Sequence, residues 1–137
     1  MTITYTRLSA AQARQAATLP LGFIALSESP MAWADAKAWC QQQGGRLPLI
    51  NGAASLTGAQ IENPRTAFID GFGQINTGPN WPDDWTTPWP SGLPVSHYWP
   101  GTELTGKPGD SWIVRDHGGV VLTHGDQSSH YRLACVP

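Results

Sequence analysis

Apolar residues recur at helical spacing in one stretch, from Ser29 to Pro48. At about 100° per residue, Ala32, Trp33, Ala36, Trp39 and Cys40 share a face, and Asp35, Lys37, Gln41 and Gln42 fall away from it. Ser29 suits an N-cap, and Pro30 suits a first helical position, where no backbone donor is needed. Gly44 and Gly45 stop the helix by allowing positive φ. The pattern predicts a short amphipathic helix with two tryptophans and a cysteine on its buried side. Arg46-Leu47-Pro48 then leads into an extended segment.

Elsewhere the pattern is shorter in range. Thr2 to Tyr5 alternates as an edge strand would, and Ser9-Ala-Ala-Gln12 is a capping box opening a helix over Ala10 to Ala17. Pro20 ends it, and Leu21 to Leu26 is an apolar run long enough for a buried strand. Helical character is expected around Ala53 to Ile61, and Thr66 to Phe72 reads as a strand or a helical turn. From Gly71 to Pro108 the chain is mostly glycine, proline, Asn, Asp and aromatics, an unusually long loop. Its tryptophans argue that it folds back and packs, because disorder avoids aromatics. The end of the chain is clearer. Strands are expected at Ser111 to Arg115, Val120 to His124 and His130 to Val136, separated by turns, as an antiparallel meander. In the last strand Tyr131, Leu133 and Cys135 alternate onto one face.

Length and composition narrow the class. A chain of 137 residues is one domain able to bury one core. With 15 glycines and 12 prolines it has few long helices and many turns. The net charge of −2 and the scattered basic residues argue against nucleic acid, which demands concentrated positive charge. No run of about eighteen apolar residues exists to form a transmembrane helix. The N-terminus lacks the pattern of a signal peptide, which fits a piece of a longer exported protein or a chain not exported by that route. The two cysteines, Cys40 and Cys135, are open to two readings. They are buried free thiols, or one disulfide tying the helix to the last strand, which would place the chain in an oxidising compartment.

An early strand comes first, then Trp33-x-x-Ala36-x-x-x-Cys40-x-x-x-Gly44-Gly45-Arg46-Leu47-Pro48, then a loop-rich middle and an ending in Tyr131-x-x-x-Cys135. This pattern resembles the C-type lectin-like domain. Tyr98-Trp99-Pro100-Gly101-Thr102, followed by Trp112-Ile-Val and a Gly-Gly turn, looks like its bacterial members, among them invasin- and intimin-type adhesins and phage or diversity-generating receptor-binding proteins. The resemblance covers residues 21–136. It implies an α+β fold with two short helices, a small antiparallel sheet, a long loop region and a Cys40–Cys135 disulfide. Residues 1–20 are then an N-terminal extension, and residues 21–137 the domain. The family's calcium-dependent sugar site is not carried over. Glu62-Asn63-Pro64 has the wrong order for its proline-centred triplet, and no Trp-Asn-Asp occurs.

The loop holds the candidate chemistry. Trp81-Pro-Asp-Asp-Trp85 sets Asp83 and Asp84 between two indoles, and carboxylates with nearby carbonyls are what calcium requires. Two acids are few for such a site, so no cofactor is expected, with calcium as the alternative. Trp81, Asp83, Asp84, Trp85, Trp89 and Trp99 are the expected ligand-binding residues, since tryptophan is favoured at binding hot spots. Trp33, Trp39 and Trp112 lie on helix or strand positions and are expected in the core. His97, His117, His124 and His130 show no metal-ligand spacing. No Gly-x-Ser-x-Gly elbow or phosphate loop is present, and adjacent Asp83 and Asp84 do not suit glycoside hydrolysis. The expectation is a non-enzymatic recognition domain, an adhesin or receptor-binding module, on an extracellular or cell surface. It would bind a host or cell-surface protein or glycan without calcium, through residues 76–107 and the exposed end of the meander. The alternatives are a calcium-dependent lectin, a small hydrolase or an oligomerisation scaffold.

Overall fold

The computed structural model describes residue 19 and residues 22–58, 68–74 and 88–137. Within them the fold is α+β, with one helix and several small sheets. The elements are β1 (Ala25–Leu26), α1 (Trp33–Gln42), β2 (Ser55–Thr57), β3 (Phe68–Ile69), β4 (Gly73–Gln74), β5 (His97–Tyr98), β6 (Glu103–Thr105), β7 (Asp110–Asp116), β8 (Val120–Asp126) and β9 (Ala134–Cys135). The strand and helix expected within residues 2–17 lie outside the described residues. So do Leu21 and residues 59–61.

The helix forms where its periodicity places it but begins later than Ser29. Its N-cap position is Ala32, without a side-chain cap. The preceding residues are held extended, because Met31 and Tyr131 exchange backbone hydrogen bonds of 2.9 and 3.0 Å. Ser27, rather than Ser29, uses its hydroxyl here, donating to the Ser29 carbonyl at 2.8 Å. The helix ends as a Schellman turn. Gly45 N–H donates to Cys40 O, and Gly44 N–H to Gln41 O. Only Gly44 needs its positive φ, at 81°. Gly45 is required for a different reason, since a Cβ there would stand 2.4 Å from Val136 O.

The long strands β7 and β8 pair antiparallel from Asp110↔Asp126 to Asp116↔Val120, the expected hairpin. The meander stops there. The last segment does not add to β8; it crosses to the other side. Arg132 bridges Tyr98 in parallel, β9 pairs antiparallel with β1, and Val136 pairs with Arg46. The reason is burial on both faces. Leu133 and Cys135 enter one core cluster while Ala134 and Val136 enter the other.

The same two clusters enclose the sheet ordered β5–β7–β8. Trp112, Val114 and Tyr98 face a cluster with Phe23, Ile50, Ile69, Phe72, Leu104 and Leu122. Ile113 and Trp99 face a cluster with Trp33, Ala36, Cys40, Leu47 and Leu133. Cys40 and Cys135 are disulfide-bonded, with Cα atoms 5.6 Å apart, fastening α1 to β9 inside the second cluster. Of the tryptophans expected in the core, Trp33 and Trp112 are buried and Trp39 is half-buried against this cluster.

The helical expectation at Ala53 is replaced by strand β2, paired in parallel with β6. Thr102 organises that crossing, its buried Oγ1 accepting from Ile50 N–H at 2.8 Å and donating to Ala53 O at 2.8 Å. Leu56 and Leu104, opposite each other in the register, then bury together. The strand alternative holds for Phe68–Ile69, which forms a hairpin with β4. The region from Gly71 to Pro108 is thus not a bare loop, since it contains β4, β5 and β6.

Candidate functional site

The expected site residues separate into three groups. Trp81, Asp83, Asp84 and Trp85 lie outside the described residues. Trp89 is half-buried and serves as a root for the loop. Its ring lies 5.6 Å from both Phe72 and Tyr98, and its Nε1–H donates to Leu93 O at 2.9 Å. Tyr98 forms a second root, its hydroxyl donating to Pro94 O at 2.6 Å. Burial pushes the Tyr98 phenol up to about 12, against the opposing pull of Arg132.

Trp99 does not face a ligand. It is fully buried, its Nε1–H donates to Met31 O at 2.7 Å, and its ring meets Tyr131 edge-on at 4.8 Å. The expectation of a ligand-facing Trp99 is corrected by strand alternation, which turns it inward beside Ile113 and Leu133. Trp33 faces the same region from α1, donating from Nε1 to Pro100 O at 2.9 Å beneath the Lys37 ammonium. The Trp99-Pro100 piece therefore joins helix and sheet.

What the fold exposes is a row crossing the sheet on the Trp99 side. His97 and Arg115 are opposite each other in the β5–β7 register and so share a face. The His97 ring stacks on Tyr131, with centroids 5.3 Å apart and planes inclined by 22°. His97 is exposed, and Arg115 and Tyr131 are half-buried. Burial, then the Arg115 charge, lowers the His97 pKa below its ordinary 6.5, so the imidazole is neutral near neutral pH. Arg132 turns to the other side, where its Nη2 donates to Ser27 O at 3.4 Å.

A second cluster lies at the far end of the hairpin. His124 Nδ1 stands 3.1 Å from Asp110 Oδ2, and its Nε2 stands 3.4 Å from Lys107 Nζ. Lysine only donates, so Nε2 accepts and Nδ1–H donates to the carboxylate. Each group there answers another. Among the described residues, no three of His, Cys, Asp and Glu gather as metal ligands would.

The chain matches no protein-family model, no curated protein and no solved structure. The row of His97, Arg115 and Tyr131 escaped the sequence reading. Alternation along each strand indicates which side each residue takes. Their meeting depends on Arg132 lying beside Tyr98, which no local pattern signals.

Proposed function

We propose that this chain is a non-enzymatic recognition domain of C-type lectin-like architecture, displaying a loop surface for a protein or glycan at a cell surface. The observation that carries the reading is the way the frame is closed. The first strand, the helix and the last strand are joined by β1–β9 pairing and the Cys40–Cys135 disulfide, while the long connection ahead of β5 is rooted through Trp89 and Tyr98. Such a frame holds its ends rigid and leaves loop chemistry free to vary. The disulfide also favours an oxidising, extracellular setting. Among the described residues, no helix is long and apolar enough to cross a membrane.

The binding surface in this reading is the loop segment with Trp81, Asp83, Asp84 and Trp85, together with the exposed His97 row. Binding needs no calcium. The test is an array of glycans and cell-surface proteins, probed with calcium and with EDTA. The expected result is a ligand retained in EDTA. Binding that disappears in EDTA, with a calcium-dependent rise in Tm, would establish the calcium-dependent lectin instead.

A further inference from the structure

Among the described residues, Arg115 is a cation without an answering anion. Its Nε is buried and has no hydrogen-bond partner. Among the described residues Asp70 pairs with Arg46 and Asp110 accepts from the His124 imidazole, and no carboxylate pairs with Arg115. A guanidinium is a planar fork of five donors, and with Nε buried beyond a ligand's reach, the Nη pair of this half-buried side chain is the edge that can meet an acceptor. The neighbouring His97 supplies no negative charge. What it supplies, stacked on Tyr131, is a flat ring surface beside the fork.

A ligand matching both features carries a carboxylate and, next to it, a rigid ring with an apolar face. An acidic pyranose has this form, with its carboxylate paired to the Arg115 Nη groups and its C–H face against the rings. A neutral sugar lacks the anion, and a Glu or Asp side chain lacks the ring. We propose that Arg115, His97 and Tyr131 form a subsite for a carboxylate-bearing saccharide, a uronate or a sialate. The subsite rests on the recognition-domain reading and names the ligand class for it.

The experiment is an NMR titration of the full chain, observing the arginine Nε–Hε and imidazole signals. The probes are glucuronate, N-acetylneuraminate, glucose and a glutamate-rich peptide. One of the two acidic sugars should shift the Arg115 and His97 signals to saturation, and glucose and the peptide should not. Arg115→Ala should weaken that binding about tenfold or more, the loss expected for a charge-assisted pair, with Arg115→Lys intermediate. His97→Ala, at an exposed position, should weaken it while leaving Tm unchanged, which guards against misfolding of the Arg115 variants. Unmoved Arg115 signals, full affinity in Arg115→Ala, or binding of the peptide alone would each overturn the subsite. If Arg115 is silent while the array still yields a calcium-independent ligand, the subsite fails and the recognition reading stands. If the array yields no ligand of any class, that reading fails and the subsite with it.

Discussion

Single residues in this chain carry more than one obligation. Thr102 satisfies two backbone groups from a loop some fifty residues away, with no exposed surface of its own. Thr102→Val keeps the shape and orphans both partners, so a loss of about 2–3 kcal/mol is expected in urea unfolding. The two helix-ending glycines should respond differently. Gly44→Ala strains a positive φ with open space around the new methyl, costing about 1 kcal/mol. Gly45→Ala drives a methyl into Val136 O and should cost more than Gly44→Ala, a difference readable from paired Tm values. Titratable residues add a pH dependence. Folding lowers the His97 pKa below 6.5, so the folded state binds that proton less tightly and stability falls as pH drops below 6.5. Tyr98 acts at the other end. Its folded pKa of about 12 lies above the usual 10, so its contribution is complete below pH 10 and is lost as pH rises through 12. Urea midpoints across pH should bend downward at both limits, and His97→Ala should flatten the acid limb.

At the scale of elements, the helix shows how tertiary pairing trims a local signal. Ser29-Pro30 is a good helix opening, yet pairing of Met31 with Tyr131 delays the first turn to Trp33. Ser29→Ala should therefore be nearly neutral, within about 0.5 kcal/mol. Ser27→Ala, which removes a buried hydroxyl bonded at 2.8 Å, should cost about 1 kcal/mol. The disulfide joins elements 95 residues apart, and in the chain-entropy model such a loop contributes about 4–5 kcal/mol. Both cysteines are fully buried, so the double variant Cys40→Ala with Cys135→Ala is the suitable comparison, read by chemical unfolding without reductant. A loss under about 1 kcal/mol would show that β1–β9 pairing holds the last strand in place unaided.

For the whole molecule, the proposed reading places stability and recognition in different residues. The two clusters, the sheet between them and the disulfide form the frame, and the His97–Tyr131 stack lies at its surface. Trp85→Ala should reduce ligand binding with unchanged Tm, whereas Trp99→Ala should cost about 3–5 kcal/mol by opening the second cluster. Trp99 is a fastener of helix to sheet.

Periodicity and spacing alone determined the helix face, the β7–β8 hairpin and the shared face of Leu133 and Cys135, because each depends on residues close in sequence. The tertiary structure decided the rest. It withdrew the last strand from β8 and laid it against β1, β5 and the helix end, where both of its faces are buried. It made Ser55–Thr57 extended through the parallel partner β6. It turned Trp99 inward and brought His97, Arg115 and Tyr131 together from three separate strands or segments. Neighbours across a sheet are set by which distant segment pairs beside a strand, and a one-dimensional pattern of polar and apolar residues does not contain that choice.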